Sequence, residues 1–533
     1  MSKKSRKKQK QKIARKNTNY LNIFSSKPTI NLLIIVTLSL ILSIVLFDSN
    51  GVIISDAATY VILAKSLIQG KGFSVLNSPL EPLPKGGETY PFGYPVIIAF
   101  FYILFGGDLL LLRTSSIILF LVGIYLSYLF FKRKLDVFFL SCVIFLIGIN
   151  ASILQYTDSL LSEMAYFVFS ILAILMFEEG TQRYPKNKRG TYYLALSVLL
   201  IVFTYYIRSV GIALIISAVI FFIIKRDYKM AGIIALSLIL LLLPWYLRNK
   251  HYGLESGYIR QLFLKDYYAP NLGTFEPIKL LIHRLSINLP KYFIIIIPKS
   301  IVNIIPEFIF FSQLRSILWC ILSLFVMFPM FYGYFFTLLK KKTILEIYIF
   351  FYISICLLWP EYWGYVRFII GVIPFFIYYF IIGVKLILKK VGLSSRAVKF
   401  GVLFIVALLT VSHFERISFQ ANHKPMDYDY GYVEAAKWLK ENTPPNSVVI
   451  AKKPGAIYLY SDRKSADFLY TDDTEKQLHR MRELKANFII ADKYRRESEY
   501  LWNTLSKYRE MFHLMKEIKE PKPIYIFRFE EDN

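Results

Sequence analysis

The sequence predicts a polytopic α-helical membrane protein with about eleven transmembrane helices and a C-terminal extracytoplasmic α/β domain. Three observations predict it. The 533-residue chain is 55% hydrophobic and only 19% charged, too apolar for a soluble protein of this length. Apolar runs of about 20 residues, enough to cross a bilayer as helices, recur as far as His413. Beyond His413 the composition changes, and helix-like and strand-like segments alternate. Backbone facing lipid must find its hydrogen bonds within the same segment, so the spans are helices.

The spans are expected at residues 30–48, 110–131, 136–154, 160–177, 191–207, 210–224, 231–247, 316–339, 344–360, 366–388 and 398–413. Their sidedness follows from charge. The net charge is +27, and Lys and Arg collect in short loops at residues 132–134, 183–190, 225–226, 340–342 and 389–390. All of these face the cytoplasm if the short apolar segment 94–107 lies at the outer interface without crossing. The residue 291–311 segment, broken by Pro298 and Pro306, is expected outside and partly embedded. The N-terminus is then cytoplasmic, and the basic arm "MSKKSRKKQKQKIARK" meets anionic lipid instead of nucleic acid. The first apolar run has no small-residue cleavage site and reads as a retained span.

Three regions follow: a basic arm at 1–29, a membrane domain at 30–413, and an extracytoplasmic domain at 414–533. In the last, residues 433–441 form an amphipathic helix, and "SVVIA", "NFIIAD" and "PIYIFRF" are strands. Three dispersed cysteines and six histidines, without CxxC or HExxH spacing, indicate neither a disulfide framework nor a zinc site. There is no P-loop, no GxGxxG and no internal repeat.

The stretch "FDSNGVIISDAATYVILAKSLIQGKGF" (residues 47–73) opens the first outer loop, residues 48–109. Asp56 falls in the first turn of an amphipathic segment whose stripe is Tyr60, Leu63, Ala64, Leu67 and Ile68. That spacing predicts a helix flat on the membrane surface, ended by Gly70 and Gly72. An acid there also serves as an ordinary helix cap.

Further along come Pro91-Phe92-Gly93-Tyr94-Pro95, "TDSLLSEMAYF" with Asp158 and Glu163, "YYIRSVGIALI" with Arg208, "LLPWYLRNKHYG" with Arg248, and "YVRFIIGVIPFF" with Arg367. In this order and sidedness they resemble the GT-C-fold integral membrane glycosyltransferases, the class that includes protein O-mannosyltransferases and lipid A aminoarabinose transferases. The resemblance spans residues 30–410. It departs where Tyr90 replaces a family proline and Phe368 a family tyrosine.

The resemblance implies sugar transfer from a polyprenyl-phosphate donor to a lipid, glycan or protein acceptor on the outer side of the plasma (inner) membrane. Asp56 would take the acceptor proton. Asp158 or Glu163 would position the acceptor or support a divalent metal ion, which the carboxylates permit without requiring. Arg208, Arg248, Arg367 and Lys85 are the cations for the phosphate, though arginines at span ends also snorkel to the interface. Tyr60, Tyr90 and Tyr94 are the tyrosines for the sugar. The segment 94–105 and the segment 291–311 would wall a groove for the lipid tail. The C-terminal domain caps the site or binds the acceptor, with Asp427, Asp429 and Asp462 solvated. The alternative is a transporter or flippase of lipid-linked saccharides, which calls for ionisable groups at mid-span and paired repeats. A non-catalytic scaffold is a third reading.

Overall fold

A computed structural model describes residues 27–80, 83–84, 90–185, 187–254, 261–266, 269, 272–303, 313–423 and 429–530. The expected class is borne out. Among these residues ten helices are long and apolar enough to cross a membrane, and the C-terminal region forms a five-stranded mixed sheet. The chain is an integral membrane protein.

All but one of the ten long helices coincide with expected spans. The expected spans at 210–224 and 344–360 are shorter helices, Ser209–Ile224 and Ile344–Leu358, and Gly93–Leu104 is short as well. The unexpected long helix is Pro277–Ile301. Its contacts show why length alone misleads. Arg284 pairs with Glu361, and Asn288 Nδ2 donates to the carbonyls of Leu357 (2.9 Å) and Trp359 (2.7 Å). Further on, the Ser300 carbonyl accepts from Asn150 (2.8 Å), and Asn303 donates to Ser152 (2.8 Å). Both sets of partners lie at the same end of the bundle, so the two ends of this helix meet that one end instead of opposite ones. A π-helical stretch, Lys291–Ile296, interrupts it after Pro290.

The opposite end of the bundle is basic. There Lys134 pairs with Glu178 at 2.8 Å, Arg133 with Glu179, and Lys385 with Asp136 at 3.6 Å. Small residues let helices approach closely. At Gly333 of Gln313–Lys341 and Gly383 of Ile373–Lys390, an added Cβ would run into the other helix's backbone.

The helix Ser55–Ile68 forms as expected, but protein covers more of it than the single apolar stripe. Tyr60, Leu63 and Ala64 are buried, and so are Val61 and Ile62 on its other side. Gly93–Leu104 packs on one flank, and the C-terminal helix Pro454–Ser461 on the other. The burial comes from protein that the local pattern cannot show. Gly70 and Gly72 end the helix at φ +68° each, as expected.

The C-terminal sheet runs β4-β3-β5-β7-β6. Its strands are β3 (Val448–Ala451), β4 (Lys464–Ala466), β5 (Phe488–Asp492), β6 (Phe512–Ile518) and β7 (Ile524–Phe529); β1 (Ser74–Val75) pairs with β2 (Leu83–Pro84) elsewhere. Strand β3 is parallel to β4 and β5, whereas β7 is antiparallel to β5 and β6. Strand β5 is buried throughout. Ile489 and Ala491 face a core with Leu478, Met481 and Leu501. Phe488 and Ile490 face one with Tyr432, Leu439 and Ile457. The three expected strands are present. The very short β4 and the charged, largely exposed β6 lack the apolar pattern that would have announced them.

Candidate active site

Four side chains from distant elements meet at the end of the bundle opposite the basic loops. Asp56 is the second residue of Ser55–Ile68, and Glu163 the first of Glu163–Arg183. Arg208 follows Lys188–Ile207, where the chain turns extended. Arg367 lies in the 3-10 turn Val366–Val372. Arg367 Nε donates to Glu163 Oε1 at 2.5 Å, and its Nη2 to Asp56 Oδ2 at 3.1 Å. Arg208 pairs with the same Glu163 oxygen and donates to Ser162 Oγ at 3.2 Å. The Tyr90 hydroxyl donates to Asp56 Oδ1 at 2.8 Å. Tyr60 stands edge-on to Tyr90 and Tyr94, with centroids 5.5 and 4.8 Å away.

The two acids differ in environment. Glu163 is 2% exposed, and only its Oε1 carries the arginines; Oε2 has no partner among the described residues. A buried carboxylate is tolerable with two guanidinium groups beside it. Asp56 remains 39% exposed and faces open volume.

That volume is two cavities. One, of about 710 Å³, is bounded by Asp56, Tyr60, Tyr90, Arg208 and Arg367. Its apolar wall includes Ile207, Val210, Ile355, Phe368 and Trp363, and its roof is the C-terminal unit. The other, of about 800 Å³, also reaches Ser55, Asp56 and Arg367, and includes Asp48, Arg113, Asp158 and Tyr430. The Asp56–Arg367 pair therefore lies on the boundary of both.

The roof residues Lys452, Lys453, Asp467, Arg495 and Glu497 were missed from sequence. They follow β3, β4 and β5, outside the carboxyl ends of parallel strands, where α/β sheets place ligands; that position was their signal. Burial pushes the Asp467 carboxyl up to about 6 and lowers the Lys452 ammonium. Asp429, expected to be solvated, is 7% exposed. It pairs with Lys453 at 3.1 Å and with Arg495. Burial opposes its charge, but those two cations hold its carboxyl below the usual range. Asp462 is exposed as expected, and Asp427 lies outside the described residues.

Other expected site residues stand apart. Asp158 Oδ1 is 2.5 Å from Arg113 Nη2, and its Oδ2 accepts from the Asp48 amide at 3.0 Å. Arg113 also donates to the Gly51 carbonyl at 2.8 Å. Asp158 thus clamps the loop before Asp56 and borders only the second cavity. Arg248 donates to the Phe73 carbonyl at 3.0 Å, stacks on Trp245, and borders neither cavity. Tyr94 is fully buried behind Tyr60. Lys85 lies outside the described residues. Of the two expected groove walls, Tyr292 of the 291–311 segment reaches the first cavity, while Gly93–Leu104 does not.

The donor set does not fit a divalent ion as built. The Arg367 guanidinium stands between Asp56 and Glu163. Among the described residues no three His, Cys, Asp or Glu side chains gather to hold a metal.

No protein-family model matches the sequence, and no curated protein matches it. Solved structures do. The archaeal oligosaccharyltransferase AglB from Archaeoglobus fulgidus, in complex with an inhibitory peptide and a dolichol-phosphate, superposes with a TM-score of 0.56 at 14% identity, over 93% of this chain and 74% of that one. A crystal structure of the Archaeoglobus fulgidus oligosaccharyltransferase with Zn and sulfate gives 0.58 at 14%, over 92% and 72%. ArnT from Cupriavidus metallidurans, bound to undecaprenyl phosphate, gives 0.56 at 11%, over 93% and 97%. At these identities the likeness establishes the fold, which is the expected GT-C fold.

Proposed function

We propose that this chain is a membrane glycosyltransferase that moves a sugar from a polyprenyl-phosphate donor to an acceptor on the extracytoplasmic side. The observation that carries the reading is Asp56. It is a half-exposed carboxylate aimed by Tyr90 and Arg367, on the boundary between two cavities. A base that serves two substrates needs that position.

The first cavity suits the donor. Its apolar wall matches an isoprenoid chain, and Arg208 and Arg367 supply cations for the phosphate. The fold neighbours solved with dolichol-phosphate and undecaprenyl phosphate support the donor class. The second cavity, polar around Asp48, Arg113 and Asp158, suits the acceptor, a lipid, glycan or protein. In the reaction the acceptor hydroxyl gives its proton to Asp56. Its oxygen bonds to the anomeric carbon, and the carbon–oxygen bond to phosphate breaks. The electron pair leaves on polyprenyl phosphate, whose charge the arginines stabilise. Asp158 acts through the loop it clamps. No step is assigned to a metal.

The basic loops support a cytoplasmic position for the opposite end. The N-terminus is then cytoplasmic, residues 30–413 form the membrane domain, and residues 414–533 cap the site outside the plasma (inner) membrane.

The test is turnover of a mixed pool of polyprenyl-phosphate sugars in membranes, followed by mass spectrometry. Loss of one donor in wild type, with its persistence in folded Asp56→Asn, supports the reading and names the sugar. Equal turnover in both removes Asp56 as the base.

A further inference from the structure

The C-terminal unit does more than cover the cavity: it grips the chain on either side of Asp56. Lys453 Nζ donates to Ser55 Oγ at 2.6 Å. The Tyr460 hydroxyl accepts from the Ile53 amide at 2.9 Å. Gly455 lies so close that a Cβ there would come 3.1 Å from the Ala58 methyl. Three residues around the acid, 53, 55 and 58, are thus held by one C-terminal segment, 453–460.

Ser55 is the unusual member. Its φ is +51°, the left-handed region that L-residues other than glycine enter only at a steric cost. Such a conformation persists only when its surroundings hold it. Lys453 is the side chain that holds the Ser55 hydroxyl. It is itself fixed by Asp429 at 3.1 Å, and Asp429 is fixed by Arg495 and by the Tyr494 hydroxyl at 3.2 Å. Lys453 is only 14% exposed. The next residue after Ser55 is Asp56, so a rotation at Ser55 swings the carboxylate relative to Arg367.

We propose that Lys453 is a positioning residue, latching the C-terminal unit to Ser55 and thereby setting where the Asp56 carboxylate stands. Lys452, Arg495 and Glu497 border the donor cavity beside this latch. A substrate that touches the roof therefore also touches the network that places the base. The kinetic part of the proposal rests on the glycosyltransferase reading; the structural part does not.

The test uses the full chain in lipid nanodiscs, as wild type, Lys453→Ala, Lys453→Arg and Ser55→Ala. Hydrogen–deuterium exchange over residues 53–60 should quicken about tenfold in Lys453→Ala and Ser55→Ala, and stay near wild type in Lys453→Arg. With a donor that wild type consumes, kcat should fall about tenfold in the two alanine variants, with the donor KM unchanged and recovery in Lys453→Arg. Unchanged exchange in Lys453→Ala overturns the latch, whatever the activity. So does a loss confined to KM, or an arginine variant as impaired as alanine. If wild type consumes no donor while exchange still quickens as stated, the latch stands and the glycosyltransferase reading is what fails.

Discussion

Nη2 of Arg367 stands 3.1 Å from Oδ2 of Asp56, and the same guanidinium reaches Glu163 through Nε at 2.5 Å. A planar fork spans the two carboxylates from two different nitrogens in a fixed geometry. Lysine keeps the charge but gathers its donors on one nitrogen and cannot span both acids in the same fixed geometry. Arg367→Lys is therefore expected to lower kcat/KM about 100-fold, and Arg367→Gln further, because Glu163 then keeps only Arg208 as a charged partner. Steady-state transfer by purified protein measures both. Equal activity of the lysine and wild-type proteins would show that the fork is not needed.

Asp56→Asn separates chemistry from stability. The amide cannot accept the acceptor proton, so transfer should fall about 1,000-fold. The Asp56–Arg367 pair is part-exposed on both sides, at 39% and 25%, so its loss should change folding stability by less than about 1 kcal/mol. Thermal unfolding in detergent alongside the activity assay checks both halves. A large drop in stability would make the activity loss uninformative and Asp56 a structural residue.

Much of this site was legible in sequence because the chemistry of membrane chains is conspicuous. Asp56, Glu163, Arg208 and Arg367 are charged residues at the ends of apolar runs, where a charge is costly and so draws notice. Their mutual contacts were not legible, since they span more than 300 positions and no periodicity links them. Arg248 and Asp158 look the same in sequence, yet one binds a carbonyl and the other clamps a loop. Lys452 and Lys453 were overlooked for the opposite reason. In a charged tail, two lysines read as solvated, and only the parallel pairing of β3 reveals that they follow a strand end over the cavity. The long helix Pro277–Ile301 shows the limit of hydropathy, because Arg284 and Asn288 in its first half and Ser300 near its finish all find partners at one end of the bundle.

Asp158 is expected to make the stability of the protein depend on pH. Burial pushes its carboxyl up from 3.8 to about 6, with Arg113 pulling the other way. A carboxyl whose pKa is higher in the folded state binds its proton more tightly there. Its contribution to stability is then full below about pH 4 and lost as pH rises through about 6. Asp158→Asn should remove that part of the pH dependence. Unfolding temperatures of both proteins in detergent from pH 3.5 to 7.5 should converge in slope only if Asp158 is not the group responsible.

Gly93 ties the short helix Gly93–Leu104 to the segment that ends at Arg208. A Cβ at Gly93 would stand 2.7 Å from the carbonyl carbon and oxygen of Tyr206 and 2.8 Å from the amide nitrogen of Ile207. These are backbone atoms and cannot swing aside as a side chain would. Gly93→Ala must move one helix off the other, at a cost of about 1–3 kcal/mol. The displaced backbone lies one residue from Arg208, whose guanidinium holds Glu163 and Ser162. The shift should therefore reach the site as well as the fold. Unfolding temperature should drop, and kcat/KM should fall about tenfold in the protein that remains folded. A control at Gly232, inside the helix Tyr228–His251 where an added Cβ meets nothing within 4 Å, should leave kcat/KM unchanged and hold or slightly raise the unfolding temperature. If Gly93→Ala and Gly232→Ala behave alike, close helix approach beside Arg208 is not what positions it.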